Sequence, residues 1–224
     1  MIKCFSDLEP RPFSLYKNET TVAELIGGEY SDLEERTWNG LFFISTDHKN
    51  LMARIRVPGG RLKSNQLRAI GNIARELTTG YIQITTRCNF QIRFINTKDA
   101  REFTERLQNI NLHKISEGAN NVRNLNCSPF AGIIPEEKID IFPLVLEWVT
   151  HVTNDRDLKN LPTKFNMTFY GVGEIPNIEY TNDISVVAIR SNEKILYQII
   201  LGGSKTGELG LKIDQNEIIP VLTA

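Results

Sequence analysis

Three segments carry basic and amide side chains at every second position. In ITTRCNFQIRFI the odd-numbered positions are Thr85, Arg87, Asn89, Gln91 and Arg93, and the even-numbered ones are Thr86, Cys88, Phe90, Ile92 and Phe94. Successive strand side chains point to opposite faces, so one face is apolar and the other presents two guanidiniums, two amides and a hydroxyl in a row. LMARIRV sets Arg54 and Arg56 opposite Ala53, Ile55 and Val57, and KFNMTF sets Lys164, Asn166 and Thr168 opposite Phe165, Met167 and Phe169. Arginine suits planar, bidentate recognition of carboxylates, and lysine offers a point charge. In any single strand, polar alternation is accounted for by a solvated sheet face. Three such strands without acidic partners at the same parity point instead to a pocket for a ligand with several carboxylates, or for a small oxyanion.

The rest of the chain makes that positive charge local. Lys and Arg number 26 against 27 Asp and Glu, a net charge of −1, which argues against electrostatic coating of nucleic acid or membrane. Sheet platforms that bind RNA place aromatic rings on the basic face. Here Phe90 and Phe94 fall on the opposite parity, so no nucleic-acid partner is expected. His48, His113 and His151 lack metal-ligand spacing and read as surface or packing residues, so no protein-held metal site is expected. Cys4, Cys88 and Cys127 are too scattered for a disulfide framework and suit a reducing cytoplasm. Cys88, by parity, reads as a packed core thiol. Asp140, Pro143 and Glu147 interrupt the most apolar stretch, 139–152, so no membrane span is expected.

Around these segments the elements follow from periodicity and punctuation. Residues 1–37 read as an irregular arm with one short helix near 22–26. Strands are predicted over 40–45 and 51–57, the second ended by Pro58-Gly59-Gly60. Ser64 is a good N-cap for a helix carrying Leu67, Ile70, Ile73, Ala74 and Leu77 and closed by Gly80. One long strand is predicted over 81–95, then a helix capped by Thr97 and carrying Ala100, Phe103, Leu107 and Ile110. This order implies an α+β unit over 38–117, with helices on one face of a small sheet. A boundary falls near Glu117–Asn120, and 118–224 reads as a second α/β unit: a helix at 141–152, a polar loop at 153–162, and strands at 164–170, 184–189 and 195–201.

MARIRVPGGRL, ITTRCNFQIR, NNVRNLNCSPFAGI and LPTKFNMTF, in this order and spacing, resemble the amino-terminal half of sirohaem-dependent nitrite and sulfite reductases, over about residues 38–203. The resemblance implies a ferredoxin-like half-domain followed by the first sirohaem-binding α/β domain. It implies that Arg54, Arg93 and Arg123 face the distal side of the sirohaem, where the oxyanion binds. It also implies that Lys164 and Asn166 form the Lys-aromatic-Asn of nitrite reductases, where sulfite reductases usually carry a second lysine. Thr86, Arg87, Asn89 and Gln91 match the segment lining the cofactor and its carboxylates, with Arg56 and Asn124 in the flanking motifs. Thr163 departs from the basic residue many members carry there. The implied partners are nitrite or sulfite and an electron donor such as ferredoxin or another reductase component. The family's [4Fe–4S] cluster is held by four cysteines of the second half. This chain has none of them, so it reads as a fragment, a truncated product, or one subunit that needs a complementary half. Precorrin-3B synthase, which has similar arginine-rich strands, and a non-catalytic tetrapyrrole-binding module are the alternatives.

Overall fold

The computed structural model describes residues 38–44, 46–114, 116–118, 120–158, 161, 163–171, 181–202 and 208–223. The arm at 1–37 and its predicted helix lie outside them. The first unit is a four-stranded antiparallel sheet in the order β1-β2-β4-β3, with β1 Leu41–Phe43, β2 Asn50–Ile55, β3 Ile82–Ile84 and β4 Phe90–Asn96. Helices α1 (Ser64–Leu77) and α2 (Ala100–Gln108) supply Ile70, Ile73, Ala74, Phe103 and Leu107 to one core with Ala53, Ile55, Ile92 and Ile95. That apolar set comes from one strand parity and two helix stripes, as an α+β layer requires. Ser64 is the first helical residue, not the cap. The cap position is Lys63, whose N–H donates to the Gln66 side chain at 3.0 Å. Leu67 is exposed and Gln66 buried, so the apolar stripe is one position narrower than its sequence suggests.

The single strand predicted over 81–95 is two strands. Ile82 pairs with Ile92 and Ile84 with Phe90, and the chain reverses at Thr85–Asn89. Thr85 drives the reversal: its hydroxyl accepts from the N–H groups of Arg87 at 3.3 Å and Asn89 at 3.2 Å, a local bond that competes with the ladder. Cys88 sits in this turn at φ 58°, partly exposed, and not on a core-facing strand. A bulge breaks parity again farther along. Ile92 opposes Ala53 but Ile95 opposes Leu51, and Phe94, at φ 59°, is turned outward.

The second unit is a five-stranded mixed sheet, β5-β6-β7-β8-β9. Its strands are β5 Asn126–Cys127, β6 Met167–Tyr170, β7 Ile184–Ser191, β8 Lys194–Leu201 and β9 Glu208–Ile213. β5, β6 and β7 are parallel, and β7, β8 and β9 antiparallel. The β5–β6 crossover contains α3 (Phe142–Asn154). Pro143 lies in its first turn, and Val145, Trp148, Val149 and Val152 pack on Phe169, Val186 and Tyr197. β9 and α4 (Ile218–Thr223) were not anticipated, and the predicted strand at 164–170 is shorter, starting at Met167. Thr168 is fully buried and donates to the carbonyl of Asn126 at 3.2 Å. It belongs to a strand whose four residues are all buried, and presents nothing to a ligand. The Pro58–Gly60 turn joins the units: Gly59 N–H donates to Leu125 O at 2.9 Å. At φ 59°, a Cβ there would lie 2.7 Å from Cys127 Sγ. Among the described residues no helix is long and apolar enough to cross a membrane.

Candidate functional site: a cationic cavity between two sheets

The helix-free side of the first sheet carries a row across three strands: Arg54 opposes Gln91, and Gln91 opposes Gln83. The Thr85–Asn89 turn closes one end of that row. The second unit contributes the amino-terminal edge of its parallel strands, with Arg123 ahead of β5, Lys164 and Asn166 ahead of β6, and Asn182 and Asp183 ahead of β7. Between them lies a cavity of about 280 Å³. Arg54 and Gln91 line it from the first sheet, Thr85, Thr86, Arg87 and Asn89 from the turn, and Arg123, Lys164 and Asn166 from the second unit. Among the described residues, no acidic side chain is in the wall.

Hydrogen bonds across the junction hold the cations in place. Asn124 donates through Nδ2 to Val57 O at 2.6 Å and to Arg87 O at 2.7 Å, tying a strand end and the turn to the second unit. Arg87 donates through Nη1 to Asn182 Oδ1 and through Nη2 to Thr181 O at 3.3 Å. The Asn166 N–H donates to Asp183 Oδ2 at 2.7 Å. Arg54 stacks on Phe42, 5.2 Å from the ring centroid. Arg54 and Arg123 each donate through Nη1 to the same carbonyl, Glu117 O, at 3.1 and 3.4 Å.

Three candidates lie outside the wall. Arg56 keeps the parity of Arg54 but is covered by the linker at 113–123: it is 1% exposed, with Nε 2.6 Å from Glu117 Oε1 and Nη2 donating to Ser116 O at 2.7 Å and Val122 O at 3.0 Å. Asn124 is buried in the junction bonds just described. Arg93 lies at the bulge, exposed and away from the cavity.

The strands are not free of acidic partners. Glu117, fully buried, lies behind Arg54, Arg56 and Arg123 and accepts from Asn89 Nδ2. Burial pushes its carboxyl above the usual range, against the pull of Arg56, Arg54 and Arg123. No strand parity could have found it, because it sits in a linker. The available signal was an acidic residue six positions ahead of a motif arginine.

The same linker buries His113, whose pKa falls to about 3 through burial and the nearby charges of Arg56 and Lys114. Burial also lowers Lys114 to about 8 and raises the Cys127 thiol to about 12. Cys127 is therefore a neutral packing group.

A sheet face and a strand edge that meet at a cation-lined cavity define an α+β protein with a polar site at the junction of its two units. Residues 44–110 match the nitrite/sulfite reductase ferredoxin-like half domain, and residues 118–218 match the nitrite and sulphite reductase 4Fe-4S domain. The chain belongs to the nitrite and sulfite reductase family. A ferredoxin–nitrite reductase of Leptolyngbya laminosa is 32% identical over 196 residues, covering 84% of this chain and 38% of that protein. The chloroplastic ferredoxin–nitrite reductase of Spinacia oleracea is 29% identical over 200 residues, covering 84% of this chain and 34% of its own length. The chain thus spans little more than a third of these relatives. The solved structure of Mycobacterium tuberculosis NirA protein superposes with a TM-score of 0.74 at 21% identity, over 87% of this chain and 40% of that one. A dissimilatory sulfite reductase I superposes at 0.55 and 15% identity, over 64% of this chain and 34% of that one. These likenesses establish the fold.

Proposed function

We propose that this chain is the amino-terminal half of a sirohaem- and [4Fe–4S]-dependent reductase that converts nitrite to ammonia, or sulfite to sulfide. Residues 38–117 are its ferredoxin-like half-domain and 118–224 its first sirohaem domain. One observation carries the reading: Arg54, Arg87, Arg123 and Lys164, from two units, line one cavity whose described wall holds no acidic side chain.

That donor set fits an acidic tetrapyrrole. Arg87 and Asn89 in the turn, with Gln91 on the adjoining strand, line the side where carboxylates would be held; Arg54, Arg123, Lys164 and Asn166 surround the space left for an oxyanion. Sirohaem would supply the multi-electron chemistry when bound. The side chains have other tasks. Arg54 and Arg123 lower the cost of holding an anion in a confined space, being oriented before it arrives. Lys164 is exposed enough to exchange protons with solvent, and its ammonium would deliver a proton to a substrate oxygen as its bond to nitrogen or sulfur breaks. Asn166 supplies a neutral amide where a second ammonium would favour the more highly charged sulfite, so nitrite is the preferred substrate.

The described thiols do not fit the cluster. Cys88 lies in a hairpin turn and Cys127 is neutral and buried. The described residues also hold no group of three His, Cys, Asp or Glu able to ligate a metal. Cluster thiolates would therefore come from another part of the enzyme, a complementary carboxy-terminal half. Ferredoxin or another reductase component would be the electron donor, and the scattered cysteines suit a reducing cytoplasm. This same thiol poverty favours, as a second reading, a tetrapyrrole-binding module without redox turnover.

The deciding experiment adds sirohaem to the purified chain and follows its absorption spectrum, then assays ammonia and sulfide with reduced viologen, with and without a partner polypeptide that carries the cluster cysteines. A bound-sirohaem spectrum, with turnover only when the partner is added, is the expected result. No spectral change would overturn the reading, and binding without turnover in the presence of the partner would favour the module.

A further inference from the structure

We propose that Glu117 is a positioning residue: its buried carboxylate fixes the peptide whose carbonyl oxygen aims both Arg54 and Arg123 into the anion cavity. The inference rests on the oxyanion reading of that cavity and adds the device that orients its two central cations.

The geometry is a clamp with two ends. At the side-chain end, Oε1 lies 2.6 Å from Arg56 Nε, and Oε2 accepts from Asn89 Nδ2. Both partners are themselves fixed. Arg56 donates to Ser116 O and Val122 O, and Asn89 Oδ1 accepts from Val57 N–H at 3.3 Å. At the main-chain end, the carbonyl of the same residue receives Nη1 of Arg54 from β2 and Nη1 of Arg123 from the segment leading into β5.

Two guanidiniums on one neutral oxygen repel each other. A carbonyl alone does not hold them together, and a mobile linker would let them separate. The carboxylate anchors the peptide and supplies a negative charge behind the pair. Both arginines line the cavity.

A simpler role is available, in which Glu117 only neutralises buried Arg56. The two roles predict opposite signs. Glu117→Gln removes one negative charge from behind the cavity, so a purely electrostatic role predicts tighter binding of an anion. Positioning predicts weaker binding despite the added positive charge, by about tenfold, the size expected when one charge-assisted hydrogen bond is lost.

The test uses the 224-residue chain labelled with 15N-arginine, with the Arg54 and Arg123 side-chain signals assigned from Arg54→Lys and Arg123→Lys. In the unaltered chain, both guanidiniums are expected to show slow rotation about Nε–Cζ. In Glu117→Gln both are expected to become mobile, while sulfate, used as a non-reacting oxyanion, binds about tenfold more weakly. Guanidinium signals that stay restricted, or sulfate binding that tightens or does not change, would overturn the proposal. If the Gln variant does not fold, Arg56→Met/Glu117→Leu removes the ion pair without leaving a lone buried charge. Restricted Arg54 and Arg123 signals in that double variant would sink the idea equally. The arginine mobility needs neither sirohaem nor turnover. A chain that binds no tetrapyrrole would therefore count against the reductase reading while these signals still decide the role of Glu117.

Discussion

The two sheets build the cavity in different ways. The first is antiparallel, packs both helices on one side, and leaves the other side open. Arg54 and Gln91 can therefore stand in the middle of strands and still reach a ligand. The second has β6 between two parallel neighbours, β5 and β7, and all four of its residues are buried. Its polar contribution comes from residues that precede strands: Arg123, Lys164 and Asn166. A face meets an edge, and the same alternation of polar and apolar residues means different things on the two sides. Open α/β sheets commonly bind ligands at the carboxyl ends of their strands. Here the segments that lead into β5 and β6 border the cavity, and side-chain cations provide the positive charge.

The strongest way to break this comparison is at Arg56, which shares a face with Arg54 by parity but serves the junction. Arg56→Ala leaves Glu117 buried and unpaired, and should lower stability by about 3–5 kcal/mol, the usual cost of removing one partner of a buried pair. Arg54→Ala, at the open cavity, should cost far less stability but abolish most anion binding. Chemical denaturation of both variants checks this. Equal stability losses would mean that the two arginines do the same work.

His113 sharpens the contrast through pH. Its folded pKa is about 3, below its ordinary 6.5. As pH falls through 6.5 the unfolded chain takes up a proton and the folded chain does not. Stability is therefore whole above about 6.5 and declines between 6.5 and 3, by about 1.4 kcal/mol per pH unit from this group alone. Below about 3 both states are protonated and the slope ends. His113→Gln should flatten that part of the stability curve while leaving anion affinity at neutral pH unchanged. An unaltered slope would show that the buried junction is not what acid attacks.

Much of this was legible in the residues, for reasons that differ between the sheets. The apolar parity of LMARIRV and the spacing of Ile70, Ile73 and Ala74 carried the first core, because one open face imposes strict alternation. Arg54, Gln91, Lys164 and Asn166 could be picked out because cations and amides recur at every second position of three segments, and Arg123 through the motif it shares with the family. What parity could not supply was the Thr85 hydroxyl bending a continuous polar-apolar run into a hairpin, or the bulge that turned Phe94 outward. It also misread Thr168, since a buried parallel strand hides residues of both parities. Glu117 escaped because a linker has no period.

Asn166 offers a gentler test at the strand edge. Asn166→Lys, in a chain reconstituted with sirohaem and a cluster-bearing partner, should shift preference from nitrite toward sulfite by about tenfold. An added ammonium favours the more highly charged anion by roughly 1 kcal/mol or more at contact distance. Because Asn166 is held through its backbone N–H to Asp183, the change should leave the fold intact. Relative rates on the two anions are the measurement. An unchanged ratio would remove Asn166 from the substrate side of the cavity.

The smallest effect is expected at Arg93. By alternation it follows Gln91 on the face that carries Arg54, but the ladder puts a bulge at this point. Between Ala53 and Leu51, two residues apart on β2, the partner strand advances by three, from Ile92 to Ile95. Phe94 absorbs the extra residue at φ 59°, and Arg93 is left exposed at the bulge, outside the cavity wall. It makes no ion pair among the described residues. An exposed guanidinium without a partner contributes little, so Arg93→Ala should change stability by less than about 0.5 kcal/mol. Sulfate affinity should stay within about twofold of the unaltered chain, the change expected from one distant, solvent-screened charge. Set beside the large loss expected for Arg54→Ala, this pair of variants locates where the functional face ends. If Arg93→Ala weakens sulfate as much as Arg54→Ala does, the cation row continues past the bulge, and the open face of the first sheet is longer than its ladder implies.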